Sequence, residues 1–230
     1  MIYIKQYGAK RTGTNYLKWL MESNFQNITV LSNILGWKHG LHPDKVDWSG
    51  NEWDHRRPQN SKKLVKLITE DLRDSYNNGD IRYSVIIKNP YSYYVSHLRL
   101  WPKNSTDQRI VDCITTWNDS YNNWYNLSQS SQLTRVTKFE DLIKNKKIEL
   151  NKIANKFELR RITKLVDTRK SLRALNEITK GQKKFKRKKT FDPSFYLNKK
   201  YMSFISSRAL QVINKHLDKT LMDIFSYEVE

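Results

Sequence analysis

Cysteine is almost absent from this 230-residue chain, where Cys113 stands alone. A single thiol excludes an intramolecular disulfide framework and a cysteine-based zinc site. Its place on an apolar helical face predicts a buried thiol. Long apolar runs are missing too, and none approaches the roughly 20 residues needed to span a bilayer. Lys5, Lys10 and Arg11 break any apolar stretch near the start, which predicts no cleaved leader and a cytoplasmic protein. No internal repeat and no clear second domain is visible, so one domain is expected over residues 1–230. Negative charge is also scarce. Only 23 acidic residues face 42 basic ones, a formal net charge of +19. That excess implies anionic substrates, an anionic cofactor or polyanionic partners. It also favours nonspecific nucleic-acid binding at low salt. No zinc-finger spacing or RNP-like signature accompanies it.

What is present suffices for a folded core. Seven Trp and thirteen Tyr argue against disorder. IYIKQY reads as a first strand, and Tyr16, Leu17, Leu20 and Met21 share a helical face after it. ITVLS (Ile28–Ser32) reads as a second strand, followed by a Gly-, His- and Trp-containing loop. Asp44–Asn60 shows no periodicity and is expected to be an irregular excursion beside the site. Ser61 is expected to cap a helix through about Tyr76, with Leu64, Ile68 and Leu72 in register. RYSVIIK (Arg82–Lys88) reads as a buried central strand. Asn89 as N-cap and Pro90 at the first helical position start a helix at once. Thr106 starts a longer one, with the stripe Ile110, Ile114, Trp117, Tyr121 and Trp124 read as core. Leu133–Glu140 is the next strand, then a helix through Leu150–Phe157 and a short strand near Arg161–Val166. A last helix runs from about Ser206 to Phe225. Strands alternating with helices predict an α/β fold, a three-layer arrangement with a parallel sheet between helices.

The stretch YGAKRTGTNYL, Tyr7 to Leu17, carries the first chemistry. Strand, Gly-containing loop, helix is the layout of a phosphate-binding loop. Gly8 and Gly13 allow close approach of backbone to ligand. The N–H groups opening the helix then point at an anion. Gly8 and Gly13 have the spacing of a nucleotide-triphosphate loop, GxxxxGK[ST], but Thr14 and Asn15 stand where Lys and [ST] should. The charge sits inside the loop instead, at Lys10 and Arg11, which suits an anion held without a metal.

This stretch resembles the 5′-phosphosulfate loop of sulfotransferases, [KR]-[ST]-G-T, matched by Arg11, Thr12, Gly13 and Thr14. In that family a basic residue at a strand end and a serine eight positions later clamp the 3′-phosphate of the donor 3′-phosphoadenosine 5′-phosphosulfate (PAPS). Lys88 and Ser96 have that spacing, with Lys in place of the usual Arg. VTKFEDL resembles the [YF]EDL segment of the family and implies that Phe139 lies near the adenine, with Glu140 and Asp141 capping the next helix. FDPSFYLNKKYMSFIS and DIFSYE resemble the close of bacterial and carbohydrate sulfotransferases. The resemblance implies a P-loop-like sulfotransferase fold, PAPS as donor, no metal, and an acceptor hydroxyl or amine, a glycan among the options. It places Gly8, Lys10, Arg11, Thr12, Gly13, Thr14, Asn15, Lys88, Ser96 and Phe139 around the donor. The family's usual RKG or GDW lid is replaced by KGQKKFKRKKTF, where Lys183, Lys184, Lys186, Arg187, Lys188 and Lys189 either form a lid or attract an anionic acceptor.

Sulfuryl transfer needs an acceptor base, in-line placement and stabilisation of the leaving charge. Arg11 suits the last task. Lys38 and His39, in GWKHG after the second strand, reach the same end of the sheet, and the family uses a His or Glu base there. His42 is the rival, then Asp44, Asp47 and Glu52. A P-loop kinase and a non-catalytic polyanion- or nucleic-acid-binding protein remain the alternative readings.

Overall fold

The computed structural model describes residues 1–49, 65, 68–98, 106–162, 164–166 and 191–230. The basic run 180–189, Glu52 and the expected Ser61 cap lie outside them. Four parallel strands form the sheet: β1 (Ile2–Tyr7), β2 (Ile28–Leu31), β3 (Arg82–Ile87) and β4 (Thr134–Lys138), in the order β2-β1-β3-β4. Ile4 pairs with both Val30 and Arg82, and Ile86 with Thr137. The chain leaves β1 toward β2, then crosses back to β3 on the other side. The switch point lies between the carboxyl ends of β1 and β3, where open α/β sheets bind ligands.

Alternating side chains serve two faces. Val85 and Ile87 face a core with Trp117, Tyr121 and Trp124. Ile4 and Ile86 face another with Leu17, Leu142 and Leu150. The expected three-layer α/β architecture is therefore present. The first core is supplied by α4 (Asp107–Ser130), which follows α1 (Thr14–Asn24), α2 (Glu70–Asn77) and α3 (Pro90–Leu98). The second is supplied by α1, α5 (Phe139–Lys144) and α6 (Lys146–Phe157). The whole aromatic stripe of α4 is buried, with Trp117 and Trp124 fully so. Truncating either to Ala would cost about 3–5 kcal/mol. Asn89 caps α3 as expected, accepting from Tyr91 and Ser92 N–H at 3.0 and 3.3 Å.

Several boundaries differ from expectation. The α2 helix begins at Glu70, because extended Thr69 accepts from Leu72 N–H and two acids occupy the first turn. Phe139 and Glu140 open α5 and do not end β4. Glu140, in the first turn of α5, also reaches away from its helix, accepting from Asn89 N–H and from the Tyr227 hydroxyl, both at 3.1 Å. Among the described residues of Arg161–Val166 one antiparallel bridge forms, Phe25 with Arg161. The Asn24 side chain takes the backbone groups of Val166, accepting from its N–H at 2.7 Å and donating to its carbonyl at 3.0 Å. After α7 (Ser194–Leu197) and a 3₁₀ turn (Lys200–Phe204), the last helix is two: α8 (Ser207–His216) and α9 (Lys219–Ile224). Asn118 of α4 causes the break. It donates to the His216 carbonyl and accepts from Asp218 N–H, and Asp218 caps α9. Among the described residues no helix is long and apolar enough to cross a membrane.

Candidate active site

The loop after β1 is shaped by close contact. A Cβ on Gly8 would stand 2.6 Å from Ile86 Cγ2 and 2.8 Å from the Ile86 carbonyl oxygen of β3. Gly13 has φ +90°, and a Cβ there would meet the Phe139 ring at 2.9 Å. Between them Arg11 is left-handed (φ 67°) and exposed. Thr12 is fully buried, its hydroxyl donating to the Ala9 carbonyl at 2.7 Å. Thr12 thus closes the loop with its side chain turned inward. Thr14 is buried and its carbonyl accepts from Gln6 Nε2 at 2.8 Å. No side chain caps α1 and no acid sits in its first turn. The helix start therefore keeps its partial positive charge uncompensated by a capping or acidic side chain.

Lys88 emerges from the end of β3 only 1% exposed. Its Nζ donates to Ser96 Oγ at 2.8 Å and to the Arg11 carbonyl at 3.3 Å. The ammonium also lies over the Phe139 and Tyr196 rings, 4.8 and 4.3 Å from their centroids. Ser96 in turn donates to the Ser92 carbonyl at 2.8 Å. The Trp117 indole and the Tyr121 hydroxyl of α4 hold the Lys88 backbone. The two residues matched by spacing do meet, and Lys88 is strapped to the loop after β1. Sequence reading missed Tyr196, which completes an aromatic wall with Phe139 and Phe191.

The loop after β2 is brought to the same edge by Lys5. This buried lysine donates to the carbonyls of Ser32, Ile34 and Gly36 at 3.2, 2.9 and 2.5 Å. Burial, with Lys38 and Lys18 nearby, holds its pKa well below the usual lysine value. Gly8 N–H donates to the Lys38 carbonyl at 2.9 Å, and the Gly8 carbonyl lies 2.6 Å from His39 Nδ1. A carbonyl only accepts, so it is Nδ1–H that donates to Gly8. Lys38 Nζ donates to Asn15 Oδ1. Burial first, then Lys18, lowers the Lys38 pKa to about 8. His42 is engaged elsewhere. Its Nδ1 is 3.1 Å from the Tyr7 hydroxyl, its N–H donates to Asn123, and Tyr7 and Tyr83 pack edge-on against its ring. Of the two histidines, His39 is the one fixed to the loop after β1.

Beside the loop lies a cleft of about 450 Å³. Lys10, Trp37 and His39 line one side, and His97 and the α4 residues Arg109 to Ser120 line the other. Lys10 thus leans into the cleft, its Nζ 5.2 Å from the Trp37 ring centre. His97 is held low, at about 4, by burial and then by Lys10 and Arg11, against a hydrogen bond to the Lys10 backbone. This wall was expected from residues 40–60. Residues 40–49 do not line the cleft, and the remainder lies outside the described residues. The available signal was the polar face of α4 opposite its aromatic stripe. Cys113, expected to be buried, is partly so, and burial pushes its thiol up to about 12.

No protein-family model matches the chain, and no curated protein does. Among solved structures it is similar to the sulfotransferase domain of the olefin synthase from Synechococcus PCC 7002. The TM-score is 0.50 at 16% identity, over 99% of this chain and 94% of that one. The fold is therefore sulfotransferase-like, a four-stranded parallel sheet between helices.

Proposed function

We propose that the protein is a PAPS-dependent sulfotransferase that sulfates a hydroxyl or amine. The observation that carries this reading is the Lys88–Ser96 pair strapped to the Arg11 carbonyl, directly beside an uncapped helix start. The glycines keep the loop clear for an anion, and a buried ammonium stands a short way off for a second one. Two anionic subsites joined in this way fit a 3′-phosphorylated nucleotide. Lys88 and Ser96 hold the 3′-phosphate. Gly8, Gly13, Thr14 and Asn15 present the loop and helix start to the 5′ side, with Lys10 and Arg11 adding charge. Phe139 covers the base. PAPS supplies a sulfuryl group whose sulfur bonds the acceptor oxygen as its bond to the phosphate oxygen breaks. His39 Nε2 takes the acceptor proton, since Nδ1 is committed to Gly8. Arg11, the α1 N–H groups and Lys38 face the charge that develops on the phosphate side.

A P-loop kinase is disfavoured by the positions it would need. Thr14 replaces the phosphate-reaching Lys, and Asn15, in place of the magnesium-binding [ST], accepts from Lys38. A non-catalytic polyanion binder rests on charge alone. The test is a screen of hydroxyl and amine acceptors with sulfur-labelled PAPS. Label should pass to an acceptor with equimolar release of adenosine 3′,5′-bisphosphate. Transfer of phosphate from ATP, with none of sulfur, would move the protein to the kinase class.

A further inference from the structure

Five residues of α4 line the cleft: Arg109, Asp112, Cys113, Thr116 and Ser120. They fall at helical spacing, so one face of the helix forms the wall. Exposure changes along it. Arg109, Asp112 and Thr116 are exposed, whereas Ser120 is 6% exposed. The deep end is the reactive end. There Trp117 and Tyr121 hold Lys88, and Asn123 accepts from the His42 N–H of the loop that also carries His39. Arg109 lies about 16 Å away along the helix axis, at a rise of about 1.5 Å per residue.

Arg109 is uncommitted. Among the described residues its guanidinium has no hydrogen bond or ion pair, and both nearby acids are engaged elsewhere. Asp107 pairs with Arg208 at 2.8 Å, and Asp112 accepts from Gln108 Nε2 at 2.9 Å. The same cleft is lined by Trp37, Tyr93, Tyr94 and Leu98, which suit an apolar or aromatic body. Asp112 sits between the ends and repels an anion placed midway. At the far end the planar guanidinium of Arg109 can take a carboxylate with two hydrogen bonds, whereas Lys10, the other cation of the lining, stands beside the loop after β1.

We infer that the acceptor is an elongated hydroxy acid, with its hydroxyl at His39, an apolar or aromatic body along the cleft, and its carboxylate on Arg109. The inference rests on the sulfotransferase reading for the fate of the hydroxyl, but the anion contact has its own readout. The full chain is titrated with 4-hydroxycinnamate and with its neutral primary amide, with and without saturating adenosine 3′,5′-bisphosphate. The acid should bind about tenfold tighter than the amide, the scale of one charge-assisted contact. Arg109→Ala should erase that preference without changing amide affinity, and Arg109→Lys should retain part of it. The shorter 4-hydroxybenzoate should show a smaller acid-over-amide ratio. Equal affinity of acid and amide, no binding of either, or a preference that survives Arg109→Ala overturns the inference. Failure of the bisphosphate to bind would strike the sulfotransferase reading instead, and the acid–amide comparison on nucleotide-free protein separates the two outcomes.

Discussion

At the ends of β1 and β3 the polar side chains are held by one another. Lys88 donates to Ser96 and to the Arg11 carbonyl, Thr12 closes on Ala9, and His39 is locked to Gly8. Along the cleft face of α4, Arg109 and Asp112 stand exposed, and Arg109 has no partner among the described residues. On the proposed function, the first region, organised before any ligand arrives, suits a donor of fixed shape, and the second, which keeps its charge available, suits selection among acceptors. Preorganisation lowers the ordering cost on binding.

This contrast breaks most visibly at His39, which belongs to the ordered side but faces the cleft. His39→Ala should lower turnover about a hundredfold or more, the scale of general-base loss. Affinity for adenosine 3′,5′-bisphosphate should hardly change, and the acidic limb of the wild-type pH–rate profile should vanish. Near-normal turnover would send the search for the base to Asp44 and Asp47, since His42 is already bound by Tyr7. Lys88→Ala comes next. It should raise the KM for PAPS about tenfold or more while kcat falls less, because a charged contact to a distant phosphate is lost. Ser96→Ala should do the same more mildly. An unchanged KM in both would show that the ordered network is only structural.

Gly13→Ala sharpens the point that the loop is built by exclusion. With φ +90° and the Phe139 ring 2.9 Å from the new methyl, it should destabilise the fold by about 1–3 kcal/mol, read from urea midpoints. The smallest effect lies on the cleft side. Burial first, then Lys10 and Arg11, lowers His97 from 6.5 to about 4. Between those values the folded chain binds fewer protons than the unfolded chain, so stability rises with pH and is lost on acidification. Allowing for its partial exposure, the loss from pH 6.5 to 4 should be about 1–2 kcal/mol. His97→Gln should flatten that part of the curve. His42, lowered chiefly by burial, leaves a residual slope of the same sign. An unchanged slope in His97→Gln would show that His97 does not titrate in this window.

The ordered side was legible in the sequence because its parts are local. A glycine loop between strand and helix, and a Lys and Ser eight apart across a strand end and one helix, carry their geometry in their spacing. The cleft was not legible. Its wall joins Lys10, Trp37, His97 and one face of α4, residues that meet only after the sheet order is set. Tyr196 is a similar case, since nothing near it in sequence says that it will cover Lys88. The missed boundaries share a cause. Asn24 and Asn118 replace backbone pairing with side-chain bonds to distant segments, and periodicity does not register such bonds.

The central claim is that two anion subsites, the uncapped start of α1 and Lys88 with Ser96, read one 3′-phosphorylated nucleotide. The most direct test is calorimetric titration of the wild-type chain with adenosine 3′,5′-bisphosphate and with ADP, both in excess EDTA. The account predicts binding of the bisphosphate at least about tenfold tighter than ADP, the worth of one charge-assisted contact. It also predicts no magnesium requirement, and loss of the difference in Lys88→Ala. Equal affinities for the two nucleotides, or binding that appears only with magnesium, would contradict it.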